Sequence, residues 1–215
     1  LVIKNAHCVY LGVICNVMKT AVITTILASL ILTNCSNKMG IFDFFNKNTN
    51  QKLITVKGFE NENFKNLKDY YSENLKVNNQ EINIDLNFDN KNTNNEELKS
   101  LNAFITKIGE FDNQNIAFIK HEFENPNSTV REYINHHILD MDEAELVEII
   151  DLKDTSLTNE QKLLHKLKLH RVGIYPNEKS YYAIFDYTIG MEFSQYLIVI
   201  KTDKGGKIID LNVES

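Results

Sequence analysis

The hydrophobic period of this chain changes twice, and that change constrains its fold more than any other feature. Ile82, Ile84, Leu86 and Phe88 alternate with Asn83, Asp85 and Asn87. A period of two puts the apolar set on one face of a strand and leaves the other face wet. Residues 70–77 form a matching run. Between the two lies Asn78-Asn79, a pair that tolerates the left-handed backbone of a tight hairpin. Residues 52–59 read as a further strand.

After the polar loop 90–95 the period lengthens. Thr93-x-x-Glu96 has the form of a capping box, and Leu98, Leu101, Ile105 and Ile108 follow at helical spacing. Ile116, Ile119 and Phe123 predict a second helix, ended near Asn125-Pro126. Ser128 predicts the cap of a third, with Val130, Tyr133, Ile134 and Ile138 on one face. Asp142-x-x-Glu145 opens a fourth, and Thr158-x-x-Gln161 opens a fifth. The period then shortens again over four runs, about 167–176, 180–188, 193–202 and 207–213. The connections contain Pro176-Asn177, Gly190 and Gly205-Gly206, each a turn signal. Short links between consecutive strands imply an antiparallel meander. The expected class is α+β: an N-terminal hairpin, central helices and a C-terminal four-stranded meander in one domain, residues 52–215.

The front of the chain follows different rules. Met18-Lys19 is a short positive start, and residues 21–33 are an uncharged apolar stretch. Such a stretch suits a secretory signal and is too short to span a bilayer as a helix. Leu32-Thr33-Asn34-Cys35 resembles a bacterial lipobox, so residues 18–35 are read as a lipoprotein-type signal with Cys35 as the lipidated residue. Asn34 departs from the small residue usual before that cysteine. Residues 1–17 read as an over-extended start and 36–51 as a linker carrying the patch Ile41-Phe42-Phe44-Phe45. A start at Met39 is the competing reading, and it would make the protein cytoplasmic.

Charge and cysteine usage narrow the function classes. All three cysteines, Cys8, Cys15 and Cys35, lie in the front segment. The remainder therefore has no disulfide, no cysteine-ligated zinc and no cysteine nucleophile. Residues 36–215 hold 21 basic and 29 acidic residues, a net charge of −8. That balance disfavours nucleic acid and anionic lipid, and it is compatible with an unidentified protein partner. The expected membrane contact is the lipid anchor alone.

Few residues offer chemistry. His136-His137 is the most conspicuous pair, but neighbours on a helix point about 100° apart, so the rings do not easily share a metal. Asp140 lies one turn on from His136. The run Asp140 to Glu145 lacks the spacing of a calcium loop, and a helix start attracts acids without any ligand. Asp186 sits in the apolar strand Ala183-Ile184-Phe185-Asp186-Tyr187 and needs a partner, for which Arg171 on the preceding strand is the candidate. One reading of this pair is a ligand-binding or catalytic carboxylate. The plainer reading is a structural ion pair. Tyr175, Tyr181, Tyr182, Tyr187 and Tyr196 enrich the C-terminal strands, where cross-strand packing or a binding surface would account for them. Arg171, Tyr175, Asp186, Tyr187, His136 and His137 are thus the candidate binding residues. No catalytic residue, metal site or cofactor is expected.

Several blocks together look familiar. They are Glu81–Phe88, Tyr133-Ile-Asn-His-His137, Lys166–Pro176, Ala183–Ile189, Gln195–Ile200 and the ending Val213-Glu214-Ser215. In this order they resemble an uncharacterised bacterial domain-of-unknown-function family, number two thousand and four in that series, over roughly residues 60–215. The resemblance implies a mixed α/β fold and no assigned activity, so it supplies no catalytic residues. Three functions stay open. The preferred one is a noncatalytic binding domain tethered to a bacterial membrane. The others are a cytoplasmic immunity-type protein that neutralises a toxin, and an enzyme using Asp186 and Arg171.

Overall fold

The two asparagines Asn78 and Asn79 both adopt left-handed backbone, with φ of 47° and 67°. They close a hairpin between β1 (Tyr70–Val77) and β2 (Gln80–Asn87). The computed structural model describes residues 54–89 and 93–215. Residues 1–17, 18–35 and 36–51, with Cys35 and the Phe patch, lie outside the described residues. Among the described residues, no helix is long and apolar enough to cross a membrane.

The strand expected over 52–59 does not form in its described part. Gly58 has φ of +85°, and the Phe59 amide closes a turn on the Val56 carbonyl at 2.9 Å. Val56 and Phe59 are nonetheless buried. This segment is an apolar plug rather than a strand.

A single helix, α1 (Asn95–Phe123), replaces the two expected over 96–123. Its cap is Asn94, one residue after the expected Thr93. The Asn94 side chain accepts from the Glu96 and Glu97 amides, and Glu97 Oε2 accepts from the Asn94 amide at 3.0 Å. The apolar period is interrupted at Asp112 and Asn115, which face the core, so the sequence looks like two helices. Hydrogen bonds make Asp112 tolerable there. Asn78 Nδ2 donates to its Oδ2 at 2.9 Å, and the Tyr187 hydroxyl donates to its Oδ1 at 3.2 Å. Gly109 lies where the hairpin tip meets the helix. Asn78 Nδ2 also donates to the Gly109 carbonyl at 3.0 Å, and a Cβ on Gly109 would stand 2.9 Å from Asn78 Oδ1.

The remaining helices start where the sequence places them. Ser128 caps α2 (Thr129–Asp140), Asp142 caps α3 (Glu143–Ile149) and Thr158 caps α4 (Asn159–Leu164). The last two carry complete capping boxes, as their spacing predicts.

The chain then returns to the sheet as β3 (Lys168–Ile174), β4 (Ala183–Thr188), β5 (Leu197–Thr202) and β6 (Ile208–Glu214). These four form the expected antiparallel meander. They join the hairpin in one six-stranded sheet of order β1-β2-β3-β4-β5-β6. The joint is parallel, with Asn83 opposite Arg171 and Asp85 opposite Gly173, so the sheet is mixed. All four described helices fall in the connection between β2 and β3, which is what a parallel pairing requires.

The core lies between α1 and one face of the sheet. The Phe104 ring packs 4.9 Å from Tyr182, 5.0 Å from Phe111 and 6.3 Å from Phe185. Phe185, Tyr187, Val172, Ile84 and Ile200 are fully buried on this face. Their neighbours in sequence, Asp186, Arg171, Asp85 and Val199, belong to the other face. The fold is α+β, as expected.

Candidate functional site

Arg171 is the centre of one polar cluster. It sits directly across from Asp186 in the β3–β4 register, just past a bulge between Leu169 and Arg171. Its Nε donates to Asp186 Oδ2 at 2.6 Å and its Nη1 to Asp85 Oδ2 at 3.2 Å. The Tyr70 hydroxyl donates to the other oxygen of Asp85 at 2.7 Å. Both carboxylates are buried, whereas the Arg171 side chain is 37% exposed. Burial pushes the Asp186 carboxyl above its ordinary range, and Arg171 opposes that push. Burial alone would lower the Arg171 guanidinium, but attraction to Asp186 outweighs it and the net shift is upward. Tyr175 is raised by its own burial, and its ring lies over Gly173, where a Cβ would come within 3.1 Å of the hydroxyl. One guanidinium thus serves two carboxylates on the sheet face away from α1. With both carboxylates ionised, the trio keeps one net negative charge.

The partner expected for Asp186 is therefore in place, and Tyr175 lies beside it. Tyr187 belongs elsewhere. It is fully buried on the α1 face, hydrogen-bonded to Asp112, and its hydroxyl is pushed well upward by burial. Tyr187 is a core residue, out of reach of any ligand on the Asp186 face. His136 and His137 are elsewhere again. Tyr70 and Tyr175 accompany Arg171 and Asp186 on this face, whereas His136 and His137 do not.

His136 and His137 lie on the last turns of α2, against the loop between β4 and β5. His137 is buried, and both ring nitrogens are engaged. Nδ1–H donates to the Tyr133 carbonyl at 2.8 Å, since a carbonyl can only accept. Nε2 then accepts the Ser194 hydroxyl at 2.6 Å. Ser194 Oγ also accepts the Tyr196 amide at 3.0 Å, so it pins the loop to the helix. Burial lowers the His137 imidazole below its ordinary value, which keeps it neutral near pH 7.

His136 is exposed, and its ring stands edge-on to His137 with centroids 5.4 Å apart. Its ring meets Tyr196 edge-on, with centroids 5.5 Å apart and planes at 89°. These two side chains form the wall between two cavities. The larger, about 360 Å³, is lined by Thr129, Glu132, Tyr133, His136, Tyr196 and Val213. Four of those residues follow the helical repeat along α2, which lays one face of that helix over the end of β6. The smaller, about 240 Å³, reaches His137, Asp140 and Ser194. Neither is lined by Arg171 or Asp186. Among the described residues, no group of histidine, cysteine and carboxylate side chains is arranged to hold a metal ion.

Sequence reasoning found the histidine pair and missed Glu132, Tyr133, Ser194 and Tyr196 as site residues. Glu132, Tyr133 and His136 share the i, i+1, i+4 pattern of one helix face, a signal that could have grouped them. Nothing local marks Ser194 or Tyr196, because the loop is brought to α2 by tertiary packing. No protein family, curated protein or solved structure matched the chain in comparison.

Proposed function

We propose that this protein is a noncatalytic binding domain whose ligand site is the cleft between α2 and the β5–β6 end of the sheet, and that it is tethered to a bacterial membrane through lipid on Cys35. The observation that carries the binding reading is the pair of adjoining cavities walled by His136 and Tyr196. A concave, largely apolar surface with a few polar groups is the usual form of a small-ligand site. The noncatalytic reading is supported by how the reactive-looking groups are used. His137 and Ser194 satisfy each other and hold the loop, and Arg171 is shared between Asp85 and Asp186. The tether is supported by the sequence pattern of residues 18–35 alone.

Two experiments test the two parts. Radioactive palmitate should label the native protein in its bacterial host, and Cys35→Ala should abolish the label. Absence of label, or label that survives the substitution, removes the tether. An NMR fragment screen on the full chain should give hits whose shift changes centre on Tyr133, His136 and Tyr196. Hits confined to other surfaces, or none at all, remove the cleft.

A further inference from the structure

The charge and ring content of the larger cleft go further than its concavity, and they rest on the binding reading just given. Three rings line it: Tyr133, His136 and Tyr196. One carboxylate lines it, Glu132, and among the described residues no lysine or arginine does. The nearest basic residue in sequence, Arg131, is held elsewhere. Its guanidinium carbon stands 3.7 Å over the Phe123 ring, and its Nε donates to the Phe123 carbonyl. Lys201 on β5 is drawn to Glu214, at 3.7 Å. The Tyr133 hydroxyl is already spent on the Tyr196 carbonyl at 3.2 Å, and burial pushes it up to about 12, so it stays protonated and neutral. An anion would find a carboxylate and aromatic rings there, with no lysine or arginine among the described residues to receive it.

The structure assigns this cleft to a small organic cation, an alkylated ammonium of the choline type. The electron-rich face of the exposed Tyr196 ring attracts a cation that has no N–H to satisfy, and the Glu132 carboxylate adds charge attraction. Methyl groups on the nitrogen suit the apolar remainder of the wall, Val213 and the Thr129 methyl. The net charge of −8 over residues 36–215 favours the approach of such a ligand.

The test is calorimetric titration of the full chain with choline and with its neutral isostere, 3,3-dimethylbutan-1-ol. Choline should bind about tenfold more tightly than the isostere, the factor that an exposed-to-partly-buried cation–π contact supplies. Glu132→Gln and Tyr196→Ala should each weaken choline by a similar factor. Tyr196→Leu keeps an apolar wall, so it should weaken choline and spare the isostere. Equal affinities for the two probes, or a Glu132→Gln variant that binds choline as well as wild type, would overturn the cation and leave a binding cleft for neutral ligands. Binding of neither probe would overturn the cation too, and the fragment screen then decides separately whether the cleft binds anything. Glycerophosphocholine separates the sources. Tighter binding than choline identifies a lipid-derived headgroup, and weaker binding identifies a free solute.

Discussion

Substituting Arg171 by methionine removes the one cation that two buried carboxylates share. Asp186 and Asp85 are 2% and 4% exposed, and Arg171 donates to them at 2.6 and 3.2 Å. Two unit charges about 4 Å apart interact by about 4 kcal/mol at the effective dielectric typical of sites near a protein surface. Two such contacts overstate the loss, because the arginine also gives up hydration when it folds into place and stays 37% exposed to screening solvent. Breaking a buried pair from one side typically costs 3–5 kcal/mol. The lower end, about 3 kcal/mol at pH 7, is the expected loss here.

The pH dependence makes this prediction specific. Burial already holds the Asp186 pKa above its unfolded value, and Arg171 is what restrains it. Without Arg171 that pKa rises further. An acid whose folded pKa exceeds its unfolded one binds more protons in the folded state, so stability falls as pH rises through that window. The deficit of Arg171→Met should therefore be small near pH 4 and grow towards pH 7. Urea unfolding of wild type and variant across that range measures it. Arg171→Lys keeps the charge but loses the planar fork, and it should recover only part of the loss. The triple variant Arg171→Met, Asp85→Asn, Asp186→Asn should lie closer to wild type than the single variant. A deficit below about 1 kcal/mol at pH 7, or one that does not change with pH, would refute the account of the cluster as a charge network.

Three further outcomes follow from other contacts. Tyr187→Phe removes the hydroxyl that reaches Asp112 in the core, and unfolding measurements should show a loss of about 1–3 kcal/mol with no effect on choline binding. His137 has a folded pKa below its unfolded value, so its contribution is fully present above about pH 6.5 and is lost as pH falls towards the folded pKa. His137→Gln should flatten the stability profile between pH 7 and 5, and an unchanged slope would contradict the burial argument. Gly109→Ala should gain about 1 kcal/mol from helix propensity alone. Because the new Cβ would stand 2.9 Å from Asn78 Oδ1, it should instead destabilise, and a rise in Tm would show that the hairpin tip does not depend on that contact.

What the sequence reveals of this fold is what is local. Asn78-Asn79 announces its turn because the needed backbone is intrinsic to those two residues. The boxes at Asp142 and Thr158 announce their helices because both partners lie within one turn. The element strings fail where a distant residue changes the meaning of a nearby one. Asp112 looks like a break in a helix until Asn78 and Tyr187 are known to satisfy it. Gly58, which turns the chain at φ +85°, looks like part of a strand. The Arg171–Asp186 pair is legible because a carboxylate inside an apolar strand needs a partner on an adjacent strand. Its third member is not, because Asp85 arrives from 86 residues away through the one parallel pairing in the sheet. On β2 alone it reads as an ordinary wet-face residue. The cleft is hidden for the same reason. Its helix face is periodic and readable, but Tyr196 reaches His136 through a loop that Ser194 ties to His137 across 57 residues and that the Tyr133 hydroxyl holds at the Tyr196 carbonyl. Tyr133 both holds the loop and lines the larger cleft, whereas Ser194 holds the loop without lining it. A Ser194→Ala substitution should accordingly weaken choline binding without removing any group that lines the larger cleft.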